Sequence, residues 1–499
     1  MTKMKKYIWL AIAIQACFWI SLQNGMLDRF FNDSTHRVGR GGDFYQFYQA
    51  GSNLLKGESI YQYPENPDVP YGPKNKYPPL MVGVIGVPAQ LLSPQAAYFI
   101  WRLLIAVMFV AMLVMIRRTV GTGAFPVAAA LSLAFTPFYL EIYHGQTNML
   151  MALLVAWIMM EFALRDHPRT WAQLALSWNV KMNTLLLVPA YAGRDRVRDL
   201  LRAVALAAVL FFPYFAFFPE DLSFFLRYAV FTPVTYVYQA GNLGMAPVVQ
   251  ELAHRFTYNE AVISRLITVT SLAIIALSFY VFYRARRRDA LDHISLWMCT
   301  FFVAFRFVWE HHLVMLLPIL ALELVRNRRS MIVLIWILLA LPTVFVLIDM
   351  DLGGEYAEVQ RYWTGATSLL YHSMKLVPLI WLYLLVVFRL LDKRMNAKAM
   401  LITTLALVVI AWTAYTVKPY SSRDYMALAL IAENKNRLEE AETNFRKAIK
   451  HDRAYIDAYF YYTEFLLRAG RIAEAEEIRD TARRIAPDHP VFKAARERR

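Results

Sequence analysis

Two cysteines in 499 residues, Cys17 and Cys299, are too few for a disulfide framework or a thiolate metal site. Each lies in an apolar stretch with no cysteine near it, so both are expected to be inert. Charge is scarce as well. Asp, Glu, Lys and Arg make up 18% of the chain against 58% hydrophobic residues, a balance that excludes an ordinary soluble domain. No glycine-rich phosphate loop is visible, which removes the usual means of holding a nucleotide. Nothing in the sequence requires a metal or another cofactor. A cleavable leader is not expected either: residues 7–23 follow Lys3, Lys5 and Lys6, lack a small-residue cleavage site, and read as an anchor helix starting in the cytoplasm.

What remains is a succession of apolar blocks long enough to cross a bilayer, so the fold class is all-α, a polytopic transmembrane helical bundle. The net charge of +15 would suit nucleic acid, but the basic residues cluster between the apolar blocks and so point to a lipid bilayer instead. Arg117-Arg118, Arg165, Arg284–Arg288, Arg326–Arg329 and Lys393-Arg394 then mark cytoplasmic turns. The stretch 170–192 breaks this rule if it crosses once, and the interruption Trp178-Asn-Val-Lys181-Met-Asn183 suggests a re-entrant hairpin of two half-helices. With it, the chain makes about eleven full crossings. Residues 80–92 rise only about 20 Å against a core of about 30 Å, so they belong near the outer interface.

From Pro419 both signs of charge mix into amphipathic helices. Leu438-Glu-Glu-Ala441 aligns with Ile472-Ala-Glu-Ala475, and Asn436 with Gly470, at an offset of 34 residues. This resembles tetratricopeptide repeats, two copies plus a fragment. The expected domains are therefore 1–418 in the membrane, with a first outer loop over 24–94, and 419–499 as an extracytoplasmic repeat module. So short an array is not expected to stand alone, which points to docking on the membrane part or on a protein partner.

The expected topology brings Asp43, Tyr77, His144, Gln146, Asn148, Asn242, Glu310, His311 and His312 to the outer side. Polar groups so near hydrocarbon are costly and mark candidate sites. Asp43 opens a helical stretch whose apolar side suits the lipid interface and whose polar side suits the headgroups. It is either the cap of that helix or an acid–base group. Asp28 and Asp33 read as solvated loop charges. Gln146 and Asn148 suit either sugar hydroxyls or contacts between helices. His311 and His312 are adjacent and cannot share one helix face, which argues against a two-histidine metal site. A histidine reaching a phosphate, with Glu310 fixing its tautomer, is the alternative to an interfacial polar belt. Lys181 at membrane depth costs about 3 kcal/mol or more unless compensated, by a lipid phosphate or by Glu161. Arg102 and Arg306 are weaker candidates for the same phosphate.

Asp43-Phe-Tyr-Gln-Phe-Tyr-Gln-Ala-Gly51, Leu54-Leu-Lys-Gly57 with Tyr61, Tyr77-Pro-Pro79, Gly145-Gln-Thr-Asn148, the stretch around Lys181, and Trp309-Glu-His-His312 together resemble family 87 glycosyltransferases of the GT-C class. The likeness runs over residues 40–325, while the repeat module lies outside the family's core pattern. It implies an inverting transferase of a bacterial cytoplasmic membrane, with its active site on the outer face. The implied donor is a polyprenyl-phosphate sugar, mannose or arabinofuranose, and the acceptor is lipid-linked or a polysaccharide. Asp43 takes the place of the general base, and His311 or His312 that of a donor-site histidine. Rival classes are an outer-face polysaccharide ligase or polymerase and a lipid-linked sugar flippase. The first predicts a large late loop with paired arginines and the second predicts internal repeat symmetry; the sequence displays neither.

Overall fold

The computed structural model describes residues 2–24, 26, 41–62, 69, 75–165, 169–192, 196–227, 242–327, 329–341, 362–393 and 395–487. Asp28 and Asp33, and residues 63–68, 70–74, 228–241 and 342–361, lie outside the described residues. The described chain is helical, its one bridge outside helices pairing Asn242 with Trp309. The order is α1 (Thr2–Gln23), α2 (Gly42–Leu55), α3 (Pro79–Ala89), α4 (Pro94–Leu133), α5 (Thr136–His144) and α6 (Asn148–Leu164). There follow α7 (Trp171–Val180), a 3₁₀ stretch (Met182–Leu187), α8 (Val188–Ala192), α9 (Val197–Phe217), α10 (Pro219–Phe225), α11 (Met245–Ala253), α12 (Glu260–Arg284) and α13 (Ala290–Ala304). A second 3₁₀ stretch (Glu310–Leu316) leads into α14 (Leu317–Arg326), α15 (Arg329–Ala340), α16 (Gly365–Leu390) and α17 (Ala397–Val417).

Five of these helices are long and apolar enough to cross a membrane: α4, α9, α12, α16 and Lys398–Val417 within α17. Shorter apolar helices, α3, α6, Met182–Tyr191, α13 and α15, fill the bundle between them. The chain is thus a multi-pass membrane protein. The expected break after Arg118 falls at Gly121, whose φ of 75° leaves the helical region within α4. The expected interruption at Lys181 is also present: this residue is extended, with φ −151° and ψ 135°, between α7 and the 3₁₀ stretch.

Charges gather at one end of the bundle. Arg326 meets Asp289 and Asp292, Arg389 meets Asp292 and reaches Glu323 at 2.8 Å, and Arg288 meets Asp392. The opposite end carries α2, the α5–α6 turn, Asn242 and Trp309. There α2 departs from expectation, because it is not an interfacial helix with one wet face. Gln46, Gln49 and Asn53 are buried along with Phe44, Phe47 and Ala50. Both faces of α2 are packed, and α3 lies against the one that carries Phe47, Tyr48 and Gly51. Gln90 Nε2 donates to the Tyr48 carbonyl at 2.6 Å, and Tyr48 Oη donates to the Leu92 carbonyl at 2.9 Å. Two glycines permit the approach: a Cβ on Gly51 would strike the Gly86 carbonyl, and one on Gly86 the Phe47 carbonyl.

Beyond α17 come α18 (Ser422–Asn434), α19 (Leu438–His451), α20 (Ile456–Arg468) and α21 (Ile472–Ile485). The two hairpins repeat at the 34-residue spacing. Asn436 and Gly470, aligned in sequence, both take left-handed φ, 57° and 74°, at the matching helix ends. Ala441, Phe445, Ala458, Tyr462 and Leu466 form their shared core.

Gly51→Val is expected to destabilise the α2–α3 crossing by about 1–3 kcal/mol through overpacking, measured as a lower unfolding temperature of the full chain. In the repeats, Arg471 and Arg446 hold the Glu442 carboxyl down, from 4.5 to about 2. A depressed folded value means that stability from this group is full above about 4.5 and lost as pH falls through about 2. Glu442→Gln should therefore speed hydrogen exchange in α19 and α21 at pH 7, and the difference from the native chain should shrink towards pH 2.

Candidate active site

Asp43 occupies the second position of α2, after an N-cap at Gly41. It is not the cap itself: no side-chain cap bond is made there, and its carboxylate sits in the first turn, at the positive end of the helix dipole. Three contacts set the helix start against the α5–α6 turn. The Gly41 amide donates to the Tyr143 carbonyl at 2.8 Å. Trp101 Nε1 in α4 donates to the Gly145 carbonyl at 2.8 Å. Gly145 has φ 68°, and a Cβ there would lie 2.6 Å from Phe44 Cβ, so glycine serves both the turn and the packing.

This anchoring brings Gln146 onto Asp43. Gln146 Nε2 donates to Asp43 Oδ2, while Gln46 Nε2 donates to Asp43 Oδ1 at 3.0 Å. Gln146 Oε1 accepts from Tyr77 Oη at 2.6 Å and from Lys181 Nζ at 3.1 Å. Lys181 also donates to Asn148 Oδ1 at 2.7 Å. The network ends on Glu141, which is fully buried. Its Oε2 accepts from Asn148 Nδ2 and its Oε1 from the Met149 amide, both at 2.8 Å. Lys181 thus lies within electrostatic reach of two carboxylates, Glu141 and Asp43.

A second group of side chains closes on the first. His144 and His311 pack edge to face with ring centres 5.8 Å apart, and His311 and His312 do so at 4.9 Å. Trp309 lies parallel to His311 at 6.3 Å. Lys181 is near enough to act electrostatically on both His311 and His312. His312 Nδ1 lies 3.4 Å from the Trp309 amide, which donates to it and so fixes the ring.

Eight of the expected site residues therefore meet: Asp43, Tyr77, Gln146, Asn148, Lys181 and, through their rings, His144, His311 and His312. Two others face elsewhere. Glu310 points to Lys375, 3.6 Å away, rather than to a histidine. Asn242 is engaged with backbone, its Nδ2 donating to the Arg306 carbonyl at 2.8 Å and its Oδ1 accepting from the Val308 amide at 3.0 Å. The guanidinium of Arg102 sits over the Tyr98 ring at 4.6 Å, and Arg306 donates to Thr268 Oγ1 at 2.5 Å. Glu161 pairs with Arg165 at 3.2 Å, so the expected compensation of Lys181 comes from Glu141 instead. Sequence reasoning passed over Glu141 although it opens the same turn as His144. The available signal was a carboxylate and a lysine both sunk among apolar residues, which must answer each other. Lys76, beside Tyr77, is a further cation that acts on Asp43.

Fold and site together define a multi-pass helical membrane protein with a polar network at one end of its bundle and a helical-repeat module after it in the chain. Residues 75–308 match the model of glycosyltransferase family 87, and residues 432–498 match that of the tetratricopeptide repeat. Over that segment the membrane part is similar to family 87 glycosyltransferases, which supports a membrane glycosyltransferase. Asp43 and the Trp309–His312 block flank the matched segment. No curated protein and no solved structure matches the chain.

Removing Lys181 leaves Glu141 buried without its cation, at a cost of about 3–5 kcal/mol. Lys181→Met should lower the unfolding temperature sharply, and adding Glu141→Gln should recover part of the loss. A strictly additive pair would count against the coupling.

Proposed function

We propose that the protein transfers a sugar from a polyprenyl-phosphate donor to a lipid-linked or polysaccharide acceptor, with inversion at the anomeric carbon. One observation carries this reading: a single amide, Gln146, joins the Asp43 carboxylate to the Lys181 ammonium. Such an arrangement holds a proton acceptor and a cation a few ångströms apart, which is what attack by a hydroxyl on a phosphate-activated sugar requires. Asp43 removes the acceptor hydroxyl's proton as the new bond forms between that oxygen and the anomeric carbon. The bond from the anomeric carbon to the phosphate oxygen breaks, and polyprenyl phosphate leaves with the electron pair. Lys181 and a histidine of the 311–312 pair stabilise the growing phosphate charge. Tyr77, His144, Gln146 and Asn148 offer hydroxyl, ring and amide groups to the sugar. Glu310 and Asn242 serve the same donor site indirectly, by shaping the loop that bears the histidines.

In this reading residues 1–418 form the transferase unit and 419–499 a repeat module that meets a protein partner. The site and the repeats lie on the outer face of a bacterial cytoplasmic membrane. Mannose and arabinofuranose are the sugars to test first.

Asp43→Asn, purified in lipid, should retain donor binding and lose transfer from polyprenyl-phosphate mannose or arabinose by about 10²-fold or more. Near-native turnover by a folded Asp43→Asn protein would remove Asp43 from the base role.

A further inference from the structure

One face of α16 touches both the repeat module and the loop that bears the paired histidines. Gly365, Ser368, His372 and Lys375 follow each other at helical spacings and are all buried. At the start of α16, the Gly365 amide donates to Asp424 Oδ1 at 2.6 Å. Asp424 belongs to α18 and lies 2.7 Å from Arg255, just beyond α11. The neighbouring Arg423 pairs with Glu251 of α11 at 2.5 Å, and the Arg423 amide donates to Tyr258 Oη at 2.8 Å. These groups are buried, and together they clamp the repeat module onto α11 and the N-terminus of α16.

Further along the same face, His372 Nδ1 lies 2.7 Å from the Asn242 carbonyl oxygen. Asn242 is the residue whose side chain binds the backbone at 306 and 308, and the next amide, Leu243, donates to the Val308 carbonyl at 2.7 Å. One turn on, Lys375 sits 3.6 Å from Glu310, donates to the Leu339 carbonyl at 2.8 Å, and meets the Leu338 and Leu341 carbonyls. A lysine this buried is costly. Here it fixes the residue directly before His311. A helix transmits position well: the ten steps from residue 365 to residue 375 span about 15 Å of stiff rod.

We propose that this face of α16 is a positioning strut: His372 and Lys375 hold the Trp309–His312 loop in register, and docking of the repeat module at Gly365 sets where the strut stands. The consequence for catalysis rests on the reading of His311 and His312 as donor-site residues. His372 and Lys375 are positioning residues, acting through Asn242 and Glu310. A partner that pulls the repeat module off its clamp would thereby slow transfer without entering the site.

The test uses the full chain in lipid nanodiscs, comparing the native protein with Asp424→Asn and Lys375→Met by hydrogen exchange. Both variants should raise exchange over residues 305–316 by about tenfold, within the usual range of coupling between sites, while α6 stays as in the native protein. Transfer from polyprenyl-phosphate mannose or arabinose should show kcat reduced about tenfold with KM for donor little changed, and Lys375→Arg should recover most of it. Exchange at 305–316 that stays native while α18–α21 loosen in Asp424→Asn overturns the strut. Raised exchange with native turnover upholds the strut and overturns the histidines' part in transfer. Absence of transfer in the native chain overturns the donor reading, and the exchange result then judges the strut alone. Asp424→Asn removes the carboxylate that pairs directly with Arg255 and leaves Glu251 as the carboxylate acting on it. If that chain does not fold, Tyr258→Phe loosens the same clamp without stranding a charge, and the same two outcomes apply.

Discussion

A lysine withdrawn from water has to be answered by negative charge, and Lys181 is answered from two directions. Glu141 lies on one side and Asp43 on the other, with Gln146 and Asn148 as the amides between. Much of the local architecture follows from that compensation. The chain abandons helix at Lys181 so that the side chain can reach the turn between α5 and α6. The turn needs a left-handed glycine so that Glu141 and Gln146 lie within reach of one ammonium. The first turn of α2 must press on that glycine to bring Asp43 to Gln146. Three segments distant in sequence thus share one electrostatic condition.

The two ends of the bundle handle charge differently. At one end arginines and carboxylates pair largely with each other, Arg326 and Arg389 sharing Asp292. At the other, cations and carboxylates are joined through amides, a phenol and imidazoles, which leaves an ammonium and a carboxylate close together without direct neutralisation. The first arrangement is self-contained. The second keeps its charges able to respond to something that arrives between them.

Apolar periodicity made the helical class, the breaks near 121 and 181, and the repeat spacing legible in the sequence. Each is a local property of pattern, turn residue or internal repetition. The convergence of Asp43, Gln146 and His311 was legible only as a shared end of the bundle, and Lys181 only as a cation at membrane depth. What pattern could not supply was the identity of the partners. Glu161 was the partner expected for Lys181, yet it pairs with Arg165 and Glu141 acts on the lysine instead. The burial of Gln46, Gln49 and Asn53 was hidden for a related reason: a polar stripe reads the same whether water or another helix covers it. Lys375 carries no sequence signal of its own; its place is set by the carbonyls of Leu338, Leu339 and Leu341 and by Glu310.

α17 makes a slender connection. Leu401, Ile402, Leu405, Val408, Val409 and Trp412 are exposed along it, and Trp381 donates to its Thr404 Oγ1 at 3.1 Å. Its surface suits lipid, so it acts chiefly as a leash that delivers the repeats to their seat. A tether of that kind keeps the free module beside its clamp and makes redocking intramolecular. Release and recapture then become unimolecular events whose balance does not depend on how much protein the membrane holds.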